Sequence, residues 1–191
     1  MKLKQPTIYK GKQIDLLIEC GEITNTVLKH MGDACDVGKS LIDIDTIGKE
    51  FLESIGAESA CYNYRGFPRY SCISVDDVVL HGIPNETVIK EGMVINIDCP
   101  VKYKNFYTDS TINIEVGVVD EEKRTLNRIA YECLMETISM IKPGIKIKEI
   151  CRFQEHYASK NNYKVIKTFR GHGIGLNLHE PPSIPYFYDK N

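Results

Sequence analysis

Residues 93–111 read MVINIDCPVKYKNFYTDST, and the rest of the chain is organised around them. Two runs of β-forming residues flank a polar turn, and each carries one aspartate, Asp98 and Asp109. Strand side chains alternate with period two. A hairpin turning near 102–105 therefore sets Asn96 and Asp98 on one face and Ile95, Ile97 and Cys99 on the other. An ionised carboxylate inside an apolar strand is costly unless it is paired or holds a metal. Two carboxylates at one site also repel each other. A divalent cation removes both penalties, and hard carboxylate oxygens suit it. The same residues also fit two strand ends that turn into water, with Asp98 just before Cys99 and Pro100 and Asp109 inside a Thr-Asp-Ser-Thr tract.

Working outward, 191 residues with 42% hydrophobic and 26% charged residues describe one globular domain with a substantial core. The net charge of -2 and the scattered lysines and arginines give no nucleic-acid footprint. No apolar run approaches membrane-spanning length, and residues 1–9 are basic without the apolar segment of a signal peptide. The expected compartment is the cytoplasm. Seven cysteines, an odd count with no CxxC pair, suggest neither a disulfide framework nor a zinc knuckle. Most are expected to be small buried thiols.

Upstream, Ile14, Leu17, Ile18, Gly21 and Leu28 follow helical spacing and predict a first helix ending near Met31 and Gly32. A second carries Leu41, Ile44, Ile47, Phe51 and Leu52 on one face and stops at Gly56. The aromatic, turn-rich stretch CYNYRGFPRYSC comes next, followed by short strands expected at 73–75 and 78–80. Downstream, a third helix starts at Asp120 with the stripe Leu126, Ile129, Ala130, Cys133, Leu134, Ile138 and Ile141. A fourth runs over 147–161, and strand material is expected at 163–169. A shift of 106 residues aligns Gly38 with Gly144, Leu41 with Ile147 and Phe51 with Tyr157. The order helix, glycine turn, helix, strands thus occurs twice. Such an echo predicts pseudo-symmetric halves in an α+β domain with a site at their seam.

Gly171-His172-Gly173 sets an imidazole between residues without side chains, where a backbone or ligand can approach closely. His179 follows at odd spacing, so the two face opposite ways in a regular strand unless a bulge or turn near Gly175 intervenes. His81 ends an apolar run before Gly82. Each of these is also the pattern of an ordinary loop histidine.

Taken together, SACYNYRGFPRYSCIS, VVLHGIPN, VINIDCPVKYKNFYTDST, IKPG and FRGHGIGLNLHEPP, in this order and spacing, resemble the methionine aminopeptidases of the bacterial type. The likeness spans nearly the whole chain. It implies a pita-bread fold with antiparallel sheet and outer helices, and a metal-dependent enzyme that removes the N-terminal methionine from newly made proteins. By the same resemblance Asp98, Asp109 and His172 are metal ligands for two divalent ions, from among cobalt, manganese, iron and zinc. His81 and His179 contact the substrate and the tetrahedral intermediate as catalytic residues. Cys61, Tyr64, Phe67, Cys72 and Leu178 line the methionine pocket. The implied partners are the N-terminal methionine peptides of nascent proteins, with ribosome contact and a monomeric state expected. The family's pattern continues with strands carrying two further glutamates. The chain stops at Asn191, so a single domain over 1–191 lacking its last strands is expected. The alternative is a catalytically impaired module that holds peptides or the ribosome without hydrolysis.

Overall fold

The computed structural model describes residues 5–188, so the basic start of the N-terminal stretch and the last three residues lie outside the description. The chain divides into two compact units, one of Ile8–Asp120 with Ile174–His179, the other chiefly Glu121–Gly173 with the segment from Glu180.

In the first unit, helices α1 (Lys12–Asp33) and α2 (Leu41–Ser54) pack on short antiparallel strands. Helix α2 starts where Ser40 and Asp43 cap it reciprocally: Ser40 Oγ accepts from Asp43 N at 3.2 Å, and an Asp43 carboxylate oxygen accepts from Ser40 N at 2.7 Å. Its buried side is Leu41, Ile44, Asp45, Gly48 and Leu52, with Ile47 and Phe51 only half-buried. The buried stripe of α1 is Cys20, Thr24, Val27, Leu28 and Met31, whereas Ile14 and Ile18 remain exposed. The predicted helix is present, but its core face is rotated from the one its first apolar residues suggested.

The central stretch makes four strands: β3 (Val94–Asp98), β4 (Val101–Tyr103), β5 (Phe106–Thr108) and β6 (Thr111–Glu115). Lys104 and Asn105 both have positive φ, which suits a two-residue turn between twisted strands. The outer ends, β3 and β6, join β2 (Cys72–Val75) in one antiparallel sheet of order β2-β3-β6. The turn end, β4 and β5, pairs instead with β1 (Glu58–Ser59). The strands change sheets at Cys99-Pro100 and at Asp109-Ser110, so both aspartates stand at that break. Burial alternates along β3 as expected, with Ile95 and Ile97 fully enclosed. No strand forms at 78–80. Asp76, at φ 49°, turns the chain and accepts from Val94 N at 3.0 Å, leaving Val78 and Val79 exposed.

The second unit holds α3 (Glu121–Met140), α4 (Ile147–Lys160) and a two-stranded ribbon of β7 (Arg170–Gly173) and β8 (Glu180–Pro185). The strand expected at 163–169 is irregular, and pairing begins only at Arg170. The long stripe predicted for α3 is largely open: Ile129 and Thr137 are buried, while Leu126, Leu134, Ile138 and Ile141 are exposed.

Candidate active site

Asp98 ends β3 directly opposite Thr111, whose hydroxyl donates to its carboxylate at 3.2 Å. On its other side β2 places Cys72 opposite Asp98. Asp109 sits in the two-residue step between β5 and β6. Its pKa is raised from the ordinary carboxylate range to about 8, first by desolvation and then by the charge of Asp98 and a hydrogen bond to it. The residue is nevertheless open to solvent, so its carboxyl is crowded by protein while water still reaches it. A paired donor set of this kind fits a divalent cation, whose charge would offset the repulsion between the two carboxylates. Among the described residues no group of three His, Cys, Asp or Glu side chains converges as a metal cluster.

His172 lies in β7 of the other unit, with a register irregularity immediately after it. Its Nδ1 is 2.9 Å from the Gly173 carbonyl oxygen, which can only accept. Nδ1 therefore donates, and in the neutral ring this leaves the lone pair on Nε2, the tautomer a metal ligand needs. Gly173 cannot carry a side chain, because a Cβ there would collide with the Pro181 carbonyl.

His81 has φ 56°, a region non-glycine residues rarely occupy. The backbone around it is fixed: Ile73 N donates to the Gly82 carbonyl at 2.9 Å, and Gly82 N donates to Ser74 Oγ at 3.1 Å. A Cβ on Gly82 would drive into the Ile73 carbonyl, so only glycine permits this close return along β2. Backbone held in such a conformation by its surroundings is common at functional sites.

Tyr64, Leu178 and His179 line one cavity of about 470 Å³, together with Ala60, Tyr62, Asn63, Tyr107 and Asn177 among others. Tyr64 stands on a short 3-10 turn, Tyr64–Gly66. Leu178 and His179 come from a turn tied back by Tyr107 N donating to the Gly175 carbonyl at 2.7 Å. The Tyr64 hydroxyl is 3.0 Å from His179 Nδ1. Cys61 and Cys72 are buried with sulfurs 3.9 Å apart, and Phe67 is half-buried. The hydrogen bond between the thiols, and then burial, push the Cys61 pKa up, so it is a neutral thiol at ordinary pH.

Sequence reasoning passed over Asp45. It is buried on α2 and accepts from Ser71 N at 2.8 Å and Ser71 Oγ at 2.7 Å, bracing the strand that carries Cys72. Burial raises its pKa despite these donors. Its position beside Ile44, on the face shared by Leu41 and Leu52, was the available signal. The cavity residues Tyr62 and Asn63 lie in the aromatic stretch already noted, whereas Tyr107 and Asn177 carried no signal of their own.

Residues 15–191 match the model of metallopeptidase family M24. The chain belongs to this family. Within it, a methionine aminopeptidase of Helicobacter pylori strain J99 is 33% identical over 184 residues, covering 96% of this chain and 73% of that protein. Methionine aminopeptidase 1 of Dictyostelium discoideum is also 33% identical over 184 residues, and the chain spans 50% of its length. The crystal structure of a Rickettsia prowazekii methionine aminopeptidase superposes with a TM-score of 0.94 at 31% identity, over 97% of this chain and 75% of that one. A Pyrococcus horikoshii prolidase superposes at 0.84 with 22% identity, a likeness of fold. The M24 chain thus has the α+β pita-bread architecture, and its family is one of metal-dependent peptidases.

Proposed function

We propose that the chain is a metal-dependent aminopeptidase that removes the N-terminal methionine from newly made proteins in the cytoplasm. The observation that carries this is the pair Asp98 and Asp109 at the sheet break, where desolvation first, and then the charge of Asp98, holds the Asp109 carboxyl above the ordinary carboxylate range. The family's relatives named methionine aminopeptidase support the same reading and do not favour a non-hydrolytic binding module.

In this reading Asp98 and Asp109 would hold divalent ions, from among manganese, iron, cobalt and zinc, with His172 the further ligand, and two ions the number, that the resemblance implies. When bound, such ions lower the pKa of water and polarise a carbonyl. The protein's own groups supply the rest. His81 and His179 meet the substrate and donate hydrogen bonds where negative charge develops during attack. Tyr64, Leu178, Cys61, Phe67 and Cys72 provide an apolar and polarisable lining that suits an unbranched thioether. The substrates are N-terminal methionine peptides of nascent proteins, met by a monomer, with ribosome contact bringing the two together. Among the described residues no helix is long and apolar enough to cross a membrane.

Methionine release from a Met-Gly-Met peptide, measured with manganese, iron(II) or cobalt and with a chelator, tests the reading. Release that requires metal and disappears in Asp98→Asn is expected. Metal-independent release, or none from folded protein, would overturn it.

A further inference from the structure

We propose that Tyr64 is a positioning residue, whose hydroxyl donates to Nδ1 of His179 and thereby fixes this imidazole as an Nε2–H donor toward substrate. The hydroxyl and Nδ1 are 3.0 Å apart, and the rings stack with centroids 5.5 Å apart at 28°. Both side chains border the same cavity of about 470 Å³. The two partners lie 115 residues apart in the chain, so the contact is a product of the fold rather than of local sequence.

Each partner is held from its own side. Tyr64 N donates to the Cys61 carbonyl at 2.9 Å, and Phe67 N donates back to the Tyr64 carbonyl at 3.0 Å. The Arg65 guanidinium lies 5.4 Å from the centre of the Tyr64 ring, over its face. On the other side, Leu178 is buried and anchors His179 beside it, and Gly175 N donates to the Asn177 carbonyl at 3.2 Å within the same turn.

The direction of the bond decides its consequence. A neutral imidazole carries one proton, and a phenolic hydroxyl is a good donor, so a bond from Tyr64 leaves Nδ1 as acceptor and places the proton on Nε2. That tautomer offers a donor to a developing oxyanion, whereas the opposite one would offer a lone pair and repel it. Tyr64 therefore acts on the reaction through His179, in addition to bordering the cavity. The role in catalysis rests on the proposed function, but the hydrogen bond itself does not.

The test combines nitrogen NMR of the ¹⁵N-labelled chain with kinetics of Tyr64→Phe. In the unmodified chain, the Nδ1 resonance of His179 should be that of an unprotonated nitrogen accepting a hydrogen bond, and in Tyr64→Phe it should move to the position of one that accepts none. Methionine release should lose about 5- to 10-fold in kcat, the scale of one hydrogen bond, with KM changed less than about 2-fold. In a His179→Ala background the same substitution should have no further effect. A proton found on Nδ1, an Nδ1 resonance unmoved by Tyr64→Phe, or a loss confined to KM would each overturn the proposal. If the unmodified chain released no methionine, the proposed function would fail, while the nitrogen resonances would still decide whether Tyr64 sets the tautomer.

Discussion

Helices α1 and α3 carry the same kind of apolar periodicity, yet one is enclosed and the other is not. In α1, Cys20, Thr24, Val27, Leu28 and Met31 are buried against α2 and the strands of their unit. In α3 only Ile129 and Thr137 are buried, and Leu134 keeps 51% of its surface exposed. Periodicity of 3.6 residues determines that a helix can form and which side is apolar. It does not determine how much of that side finds a partner. The aspartate pair belongs to the unit of the enclosed helix, where β3 itself buries Ile95 and Ile97 completely.

The contrast predicts a gradient of mutational cost. Ile97→Ala should lose the most, about 2–5 kcal/mol, because it empties a fully enclosed site between strands and α1. Chemical denaturation would show it as a lower midpoint with an unchanged slope. A smaller loss would mean that this core can collapse around the cavity, and the contrast with α3 would weaken.

Gly82→Ala comes next, at roughly 1–3 kcal/mol, since the new methyl group must displace the Ile73 carbonyl. Because His81 adjoins this contact at positive φ, methionine release should fall by more than the loss of folded protein explains. Equal losses in activity and folded fraction would remove His81 from the site.

The third prediction concerns pH. Asp109 titrates near 8 in the folded, metal-free chain but at the ordinary carboxylate value when unfolded, so the folded state binds more protons in between. The resulting stability is fully present below about pH 4 and is lost as pH rises through about 8. Thermal unfolding with chelator should show this decline, and Asp109→Asn should flatten it. A profile that Asp109→Asn leaves unchanged would mean that Asp109 is not held above the ordinary carboxylate range in the folded chain.

Leu134→Ala should have the smallest effect, within about 0.5 kcal/mol, because the side chain is exposed and alanine favours a helix. A loss above 2 kcal/mol would show that the face of α3 is covered in solution and would erase the distinction between the helices.

Much of this was legible in the sequence because it is local. The start of α2, the alternation in β3 and the turn at Lys104 and Asn105 follow from capping, period and turn chemistry within a few residues. The expected strand at 78–80 failed because Asp76 spends its backbone and side chain on Val94, a partner that no local pattern names. Asp45 was passed over for the same reason, since its donors lie on Ser71, in a different element.

By itself, then, the amino-acid sequence determined the helices, the two aspartates on one strand system and, through ordered motifs, membership of the M24 family. Only the tertiary structure decided that the strands change sheets at those aspartates, that Asp109 shares its electrostatic environment with Asp98, and that Tyr64 meets His179 across 115 residues. Backbone period and capping act over one or two turns of chain. Carboxylate repulsion and a hydrogen bond of 3.0 Å depend on distances that exist only once distant segments have packed.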